Sequence, residues 1–81
     1  MMIVMNDNEF NLYESIAGNI KKYRKEANIT QAELSERVGV SHEFIRWIES
    51  KKGVKTFSVD TLYKISIALN IDISKLFEFD K

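Results

Sequence analysis

The chain has no cysteine and no proline, a single histidine and three glycines in 81 residues. Without cysteine there is no disulfide scaffold, no thiolate metal site and no cysteine nucleophile. A lone His42 excludes a multi-histidine metal centre. Apolar runs stop at four or five residues, far short of the ~20 that span a bilayer. The opening Met1-Met2-Ile3-Val4-Met5 has neither a basic stretch nor a long apolar segment, so it does not read as a secretory signal. No nucleophile–base–acid set, glycine-rich phosphate loop or metal cluster can be assembled. The expectation is therefore a soluble, cytoplasmic protein that is not an enzyme, uses no cofactor and holds no metal.

What is present fits one small domain. Apolar residues are 44% and charged residues 30% of the chain, a globular composition. Twelve bases balance twelve acids, but the balance is uneven along the chain. Residues 1–19 carry three acids and no base. Residues 20–64 carry ten bases against six acids, a local +4. A basic middle can present one positive face to a polyanion although the net charge is zero. There is no repeat or low-complexity tract, and residues 1–10 read as a flexible tail ahead of a domain over 11–81.

Strand signals are poor and helical periodicity runs throughout. Leu12, Ile16, Ile20 and Tyr23 mark one face of a first helix over Leu12 to Ala27. Thr30-Gln31-Ala32-Glu33 is a capping box that opens a second. Gly39 ends it, as a residue free to take a positive φ. Ser41 caps a third helix over His42 to Ser50, with Ile45 and Ile48 inward. Residues 51–57 read as a loop, and Ser58 caps a fourth helix over Val59 to Leu69. Asp72 or Ser74 caps a short fifth through Leu76 and Phe77.

The unit from Gln31 to Ser50 is the most informative. Two helices of about two turns are joined by a turn that forces a sharp crossing, so each buries its stripe against the other. Ser35 is the small residue facing that crossing, and Leu34, Val38, Val40, Ile45 and Ile48 supply the inward positions. This set, with Gln31-Ala32-Glu33-Leu34-Ser35 and Val38-Gly39-Val40-Ser41 followed by Ile45 and Ile48-Glu49, resembles the lambda-repressor/Cro-like (XRE) helix-turn-helix family. The likeness runs from about residue 12 to 77. It implies an all-α, compact five-helix domain with the helix-turn-helix at helices 2 and 3, double-stranded DNA as partner, and a homodimer on a two-fold operator. Lys51 stands where the family usually has glycine, and the loop to the fourth helix is about two residues longer than its common form.

If the third helix enters the major groove, its outward set is Ser41, His42, Glu43, Arg46, Trp47 and Ser50. Arg46 is the strongest candidate for base readout, because a guanidinium bridges guanine O6 and N7. Glu43 can accept from cytosine N4 or orient Arg46 three residues on. His42 can donate to a base or a phosphate. Trp47 can meet a thymine methyl or pack against its own chain. Gln31, at a helix N-terminus, and Ser50, Lys51 and Lys52, after the recognition helix, are the expected phosphate contacts. By the resemblance, Arg24 and Glu49 form a structural ion pair that ties the first helix to the third. The expected function is transcriptional regulation, by repression, from a dimer on an inverted repeat. The alternative is a protein-interaction module, such as an antitoxin that holds its toxin.

Overall fold

A computed structural model describes residues 12–50 and 57–79 of the chain. The tail read over residues 1–10 lies outside the described residues, as does most of the loop read over 51–57. Among the described residues four α-helices are seen: α1 (Leu12–Glu26), α2 (Gln31–Val38), α3 (His42–Glu49) and α4 (Val59–Leu69). A 3-10 helix over Ile73–Phe77 follows. The fifth α-helix implied by the family resemblance is therefore corrected. Asp72 is the cap, accepting from the Ser74 amide. The segment closes with i to i+3 bonds, from Lys75 N to the Asp72 carbonyl and from Glu78 N to the Lys75 carbonyl. Five residues are too few to establish an i to i+4 ladder against the cost of nucleating it.

Local chemistry fixes the helix ends. Thr30 Oγ1 accepts from Glu33 N at 3.0 Å, and Glu33 Oε1 accepts from Thr30 N at 2.7 Å. Gly39 ends α2 at φ +86° and returns its N–H to the Ser35 carbonyl. A Cβ at that angle is strained. Among the described residues the two other left-handed positions, Asn28 and Asn70, follow α1 and α4; asparagine is the non-glycine residue that tolerates this region best. Ser41 and Ser58 cap α3 and α4 by accepting from Phe44 N and Thr61 N.

Ile20, Leu34, Ile45, Ile48, Ile65 and Leu76 are fully buried and draw all five segments onto one core. Burial along α1 begins at Ile16 and continues through Ala17, Ile20 and Arg24, whereas Leu12 is exposed. Ser35 is buried in α2, with its hydroxyl donating to the Ala32 carbonyl. Ser66 is also buried, with its hydroxyl turned back on the Tyr63 carbonyl.

The closing segment is strapped to α1. Asn19 Nδ2 donates to the Leu76 and Glu78 carbonyls at 2.9 and 2.8 Å, and the Tyr23 hydroxyl donates to Glu78 Oε1. That bond holds the Glu78 carboxyl below its ordinary range, helped by Lys75 and Lys22. It also pushes Tyr23 up from 10.0 to about 12, because an ionised phenol cannot donate. Glu78, with a lowered folded value, contributes stability above the ordinary carboxyl range and loses it as pH falls through that lowered value. Tyr23, with a raised value, contributes fully below pH 10.0 and loses it as pH rises toward about 12. Melts of wild type and Tyr23→Phe across pH should differ by a constant amount near neutrality. The difference should shrink at both extremes; a pH-independent difference would show that the bond is not formed.

Candidate nucleic-acid interface

The site is built from α3 outward. Helical spacing puts Ile45 and Ile48 inward, and both are fully buried. His42, Glu43, Arg46 and Trp47 are thereby turned to solvent, all four exposed. Ser41 is exposed, and its hydroxyl is used as the N-cap, 3.1 Å from Phe44 N.

Arg46 and Glu43 form an exposed ion pair, with Arg46 Nη1 3.1 Å from Glu43 Oε2 and 3.3 Å from Oε1. Such a pair adds little stability, but it holds the guanidinium over the outer face of the helix. Trp47 stacks on Phe44, with ring centroids 5.9 Å apart and planes at 26°. Phe44 itself is half-buried against the core. The indole therefore has one face supported and remains 40% exposed. Ser50 is the C-cap of α3, and its hydroxyl donates to the Trp47 carbonyl. Lys51 and Lys52 lie outside the described residues.

Behind this face lies a charged anchor. Arg24 Nε donates to Glu49 Oε2 at 2.7 Å and Nη2 to Oε1 at 2.9 Å, a two-pronged pair with side chains 9% and 2% exposed. Arg24 Nη1 also donates to the Ile29 carbonyl at 2.8 Å. Gln31 Nε2 donates to Glu49 Oε1 at 3.0 Å. One carboxylate thus ties together the end of α1, the start of α2 and the end of α3. Among the described residues no buried side-chain nitrogen or oxygen is left without a hydrogen bond.

Sequence reasoning did not assign Gln31 to this network, nor the Ile29 carbonyl, nor the left-handed Asn28 that brings that carbonyl round. The signal available was an asparagine two residues past a helix end, the residue type suited to a positive φ there. Gln31 and His42 both line a shallow, open cavity of about 420 Å³ with Arg24, Lys25 and Thr30 among its walls. The hollow lies between the end of α1 and the starts of α2 and α3. No group of three or more metal-ligating side chains is found among the described residues. No helix among them is long and apolar enough to cross a membrane.

Comparison with known proteins adds the following. The pattern of the helix-turn-helix family matches residues 20–76. An uncharacterized HTH-type transcriptional regulator of Archaeoglobus fulgidus is 42% identical over 62 residues, covering 76% of this chain and 84% of the relative. The biofilm master regulator SinR, of Bacillus subtilis, was solved in complex with DNA. It superimposes with a TM-score of 0.69 at 32% identity, covering 78% of this chain and 98% of that structure. The clp gene regulator ClgR of C. glutamicum gives a TM-score of 0.76 at 25% identity, with 85% and 87% covered. Helix order, the Gly39 turn, the buried faces of α2 and α3 and these relatives agree: the chain belongs to the lambda-repressor/Cro-like (XRE) family of helix-turn-helix proteins.

Proposed function

We propose that the chain is a DNA-binding regulator of transcription that reads double-stranded DNA in sequence-specific fashion. It acts as a repressor, from a homodimer on an inverted repeat. One observation carries the reading: α3 is anchored by two fully buried isoleucines while His42, Glu43, Arg46 and Trp47 are all exposed on its other side. An amphipathic helix held this way can enter a major groove without unfolding anything. The relatives support it, since SinR was solved on DNA.

In this reading Arg46 takes guanine O6 and N7, leaving or sharing Glu43, whose carboxylate accepts from cytosine N4. Trp47, braced by Phe44, meets a thymine methyl or the sugar edge. His42 donates to a base or phosphate at the helix start. Gln31 and the α2 N-terminus hold one backbone, and Ser50, Lys51 and Lys52 hold the other. Two copies of α3 then lie ~34 Å apart, one helical turn of the duplex.

A selection of bound sequences from a random pool gives the operator. On that operator, Arg46→Ala should weaken binding by about 1–3 kcal/mol and leave random DNA unaffected. Equal losses on both would reduce Arg46 to a phosphate contact. No loss on either would remove α3 from the interface.

A further inference from the structure

Among its described residues the exposed face of α3 carries one acid. His42, Arg46 and Trp47 offer hydrogen-bond donors there, whereas the Glu43 carboxylate only accepts. Glu49, the other acid of the helix, is buried and taken up by Arg24 and Gln31. Glu43 is the more exposed half of its ion pair, with a side chain 78% exposed against 59% for Arg46. A free carboxylate is out of place against DNA, where the phosphates on both walls of the groove repel it.

The hydrogen bonds of the pair give that carboxylate a use. Arg46 spends one nitrogen, Nη1, on both Glu43 oxygens, at 3.3 and 3.1 Å. Its Nε–Nη2 edge takes no part in that contact. This is the edge with which Arg24 grips Glu49, and it fits guanine O6 and N7 in the same two-pronged way. Arg46 can therefore hold a guanine while it stays in contact with Glu43. Three residues of helix rise ~4.5 Å, against ~3.4 Å between stacked base pairs. With α3 lying along the groove, the carboxylate falls over the neighbouring base pair. Only cytosine N4 and adenine N6 can donate to it there. Adenine N6 is flanked by the N7 acceptor, which repels a carboxylate, and cytosine N4 by a C–H, which does not. Guanine and thymine present acceptors only, and these leave the charge stripped of water and unpaired.

We propose that Glu43 sets specificity by exclusion: it admits sites with a cytosine next to the guanine held by Arg46 and turns the protein away from the rest. The proposal rests on the DNA-binding reading given above and adds which residue rejects wrong sequences. Arg46 rewards a guanine, and Glu43 penalises whatever stands beside it without an amino hydrogen to offer. Discrimination then comes from weak binding elsewhere as much as from strong binding at the operator.

Sequence selection from a random duplex pool tests it, run in parallel on the full chain and on Glu43→Ala, with titration of both on the wild-type operator and on random DNA. Far-ultraviolet circular dichroism should show the variant folded, since an exposed pair contributes little to the fold. Glu43→Ala should bind random DNA more tightly, and its ratio of operator to random affinity should fall by about tenfold or more. Its selected sequences should keep the guanine and lose the preference for cytosine beside it. An operator with N4-methylcytosine at that position puts a methyl group where the groove-facing amino hydrogen was. It should weaken wild type by about tenfold and leave Glu43→Ala unchanged. If the variant tightens on both DNAs by one factor and selects the same sequences, Glu43 is a general charge and the proposal fails while DNA reading stands. If the variant loses the guanine preference with random binding unchanged, Glu43 only props Arg46, and the proposal fails in the same way. A wild type that selects no sequence would overturn the DNA-binding reading and this role together.

Discussion

Replacing Glu49 with alanine is expected to remove about 3–5 kcal/mol of stability, the cost of leaving a buried charge without its partner. Arg24 would keep only the Ile29 carbonyl of its three contacts, and Gln31 would lose its acceptor. For a domain of this size each kcal/mol moves Tm by roughly 4–8 °C, so thermal melts should fall by tens of degrees. The loss reflects an orphaned guanidinium more than the net worth of the pair. The double variant Arg24→Met with Glu49→Leu should therefore be far less destabilised than the single change. A Glu49→Ala protein that melts within a few degrees of wild type would show that the pair is hydrated and dispensable. Denaturant titration of the three proteins separates these outcomes.

The second large effect is expected at Ile45. Its side chain is fully buried where α3 meets the core, and truncation to alanine should cost about 2–5 kcal/mol through lost transfer energy and an unfilled cavity. The neighbouring Arg46→Ala should change stability by no more than about 0.5 kcal/mol, since Arg46 is exposed and its pair with Glu43 is weak. The DNA-binding effects should run in reverse order at a temperature where both proteins are folded. Ile45→Ala should keep its preference for the operator, because the outward side chains are untouched, whereas Arg46→Ala should lose it. If Ile45→Ala relaxed the preference as much as Arg46→Ala, groove reading would depend on the tilt of α3 rather than on its outer side chains.

Much of this was legible in the chain because it is written locally. The Thr30–Glu33 capping box, the left-handed Gly39 and the caps Ser41 and Ser58 are each decided within four residues, and α4 runs as its periodicity indicates. Ile45 and Ile48 fall inward by helical spacing alone. What escaped was set at a distance. Arg24 and Glu49 are 25 residues apart, and nothing in their spacing joins them; only the family resemblance did. Leu12 fits the apolar period of α1 yet is exposed, because the period marks a face without marking where the core ends. Ser66 is polar by type and buried by position, satisfied by its own backbone. The last helical turn is 3-10 because it is short, a matter of cooperative length that residue identity does not reveal.

The shared carboxylate at Glu49 bears on how the outer surface is held ready. A primary amide nitrogen carries two hydrogens, and Gln31 gives one of them to Glu49. The other is left over, on a side chain whose rotation is already arrested by an internal partner. A side chain immobilised from within has less freedom to surrender when something outside takes hold of it. The same lock that keeps the three helix ends from drifting apart therefore also sets the aim of the group at the mouth of α2, and rigidity inside becomes readiness outside.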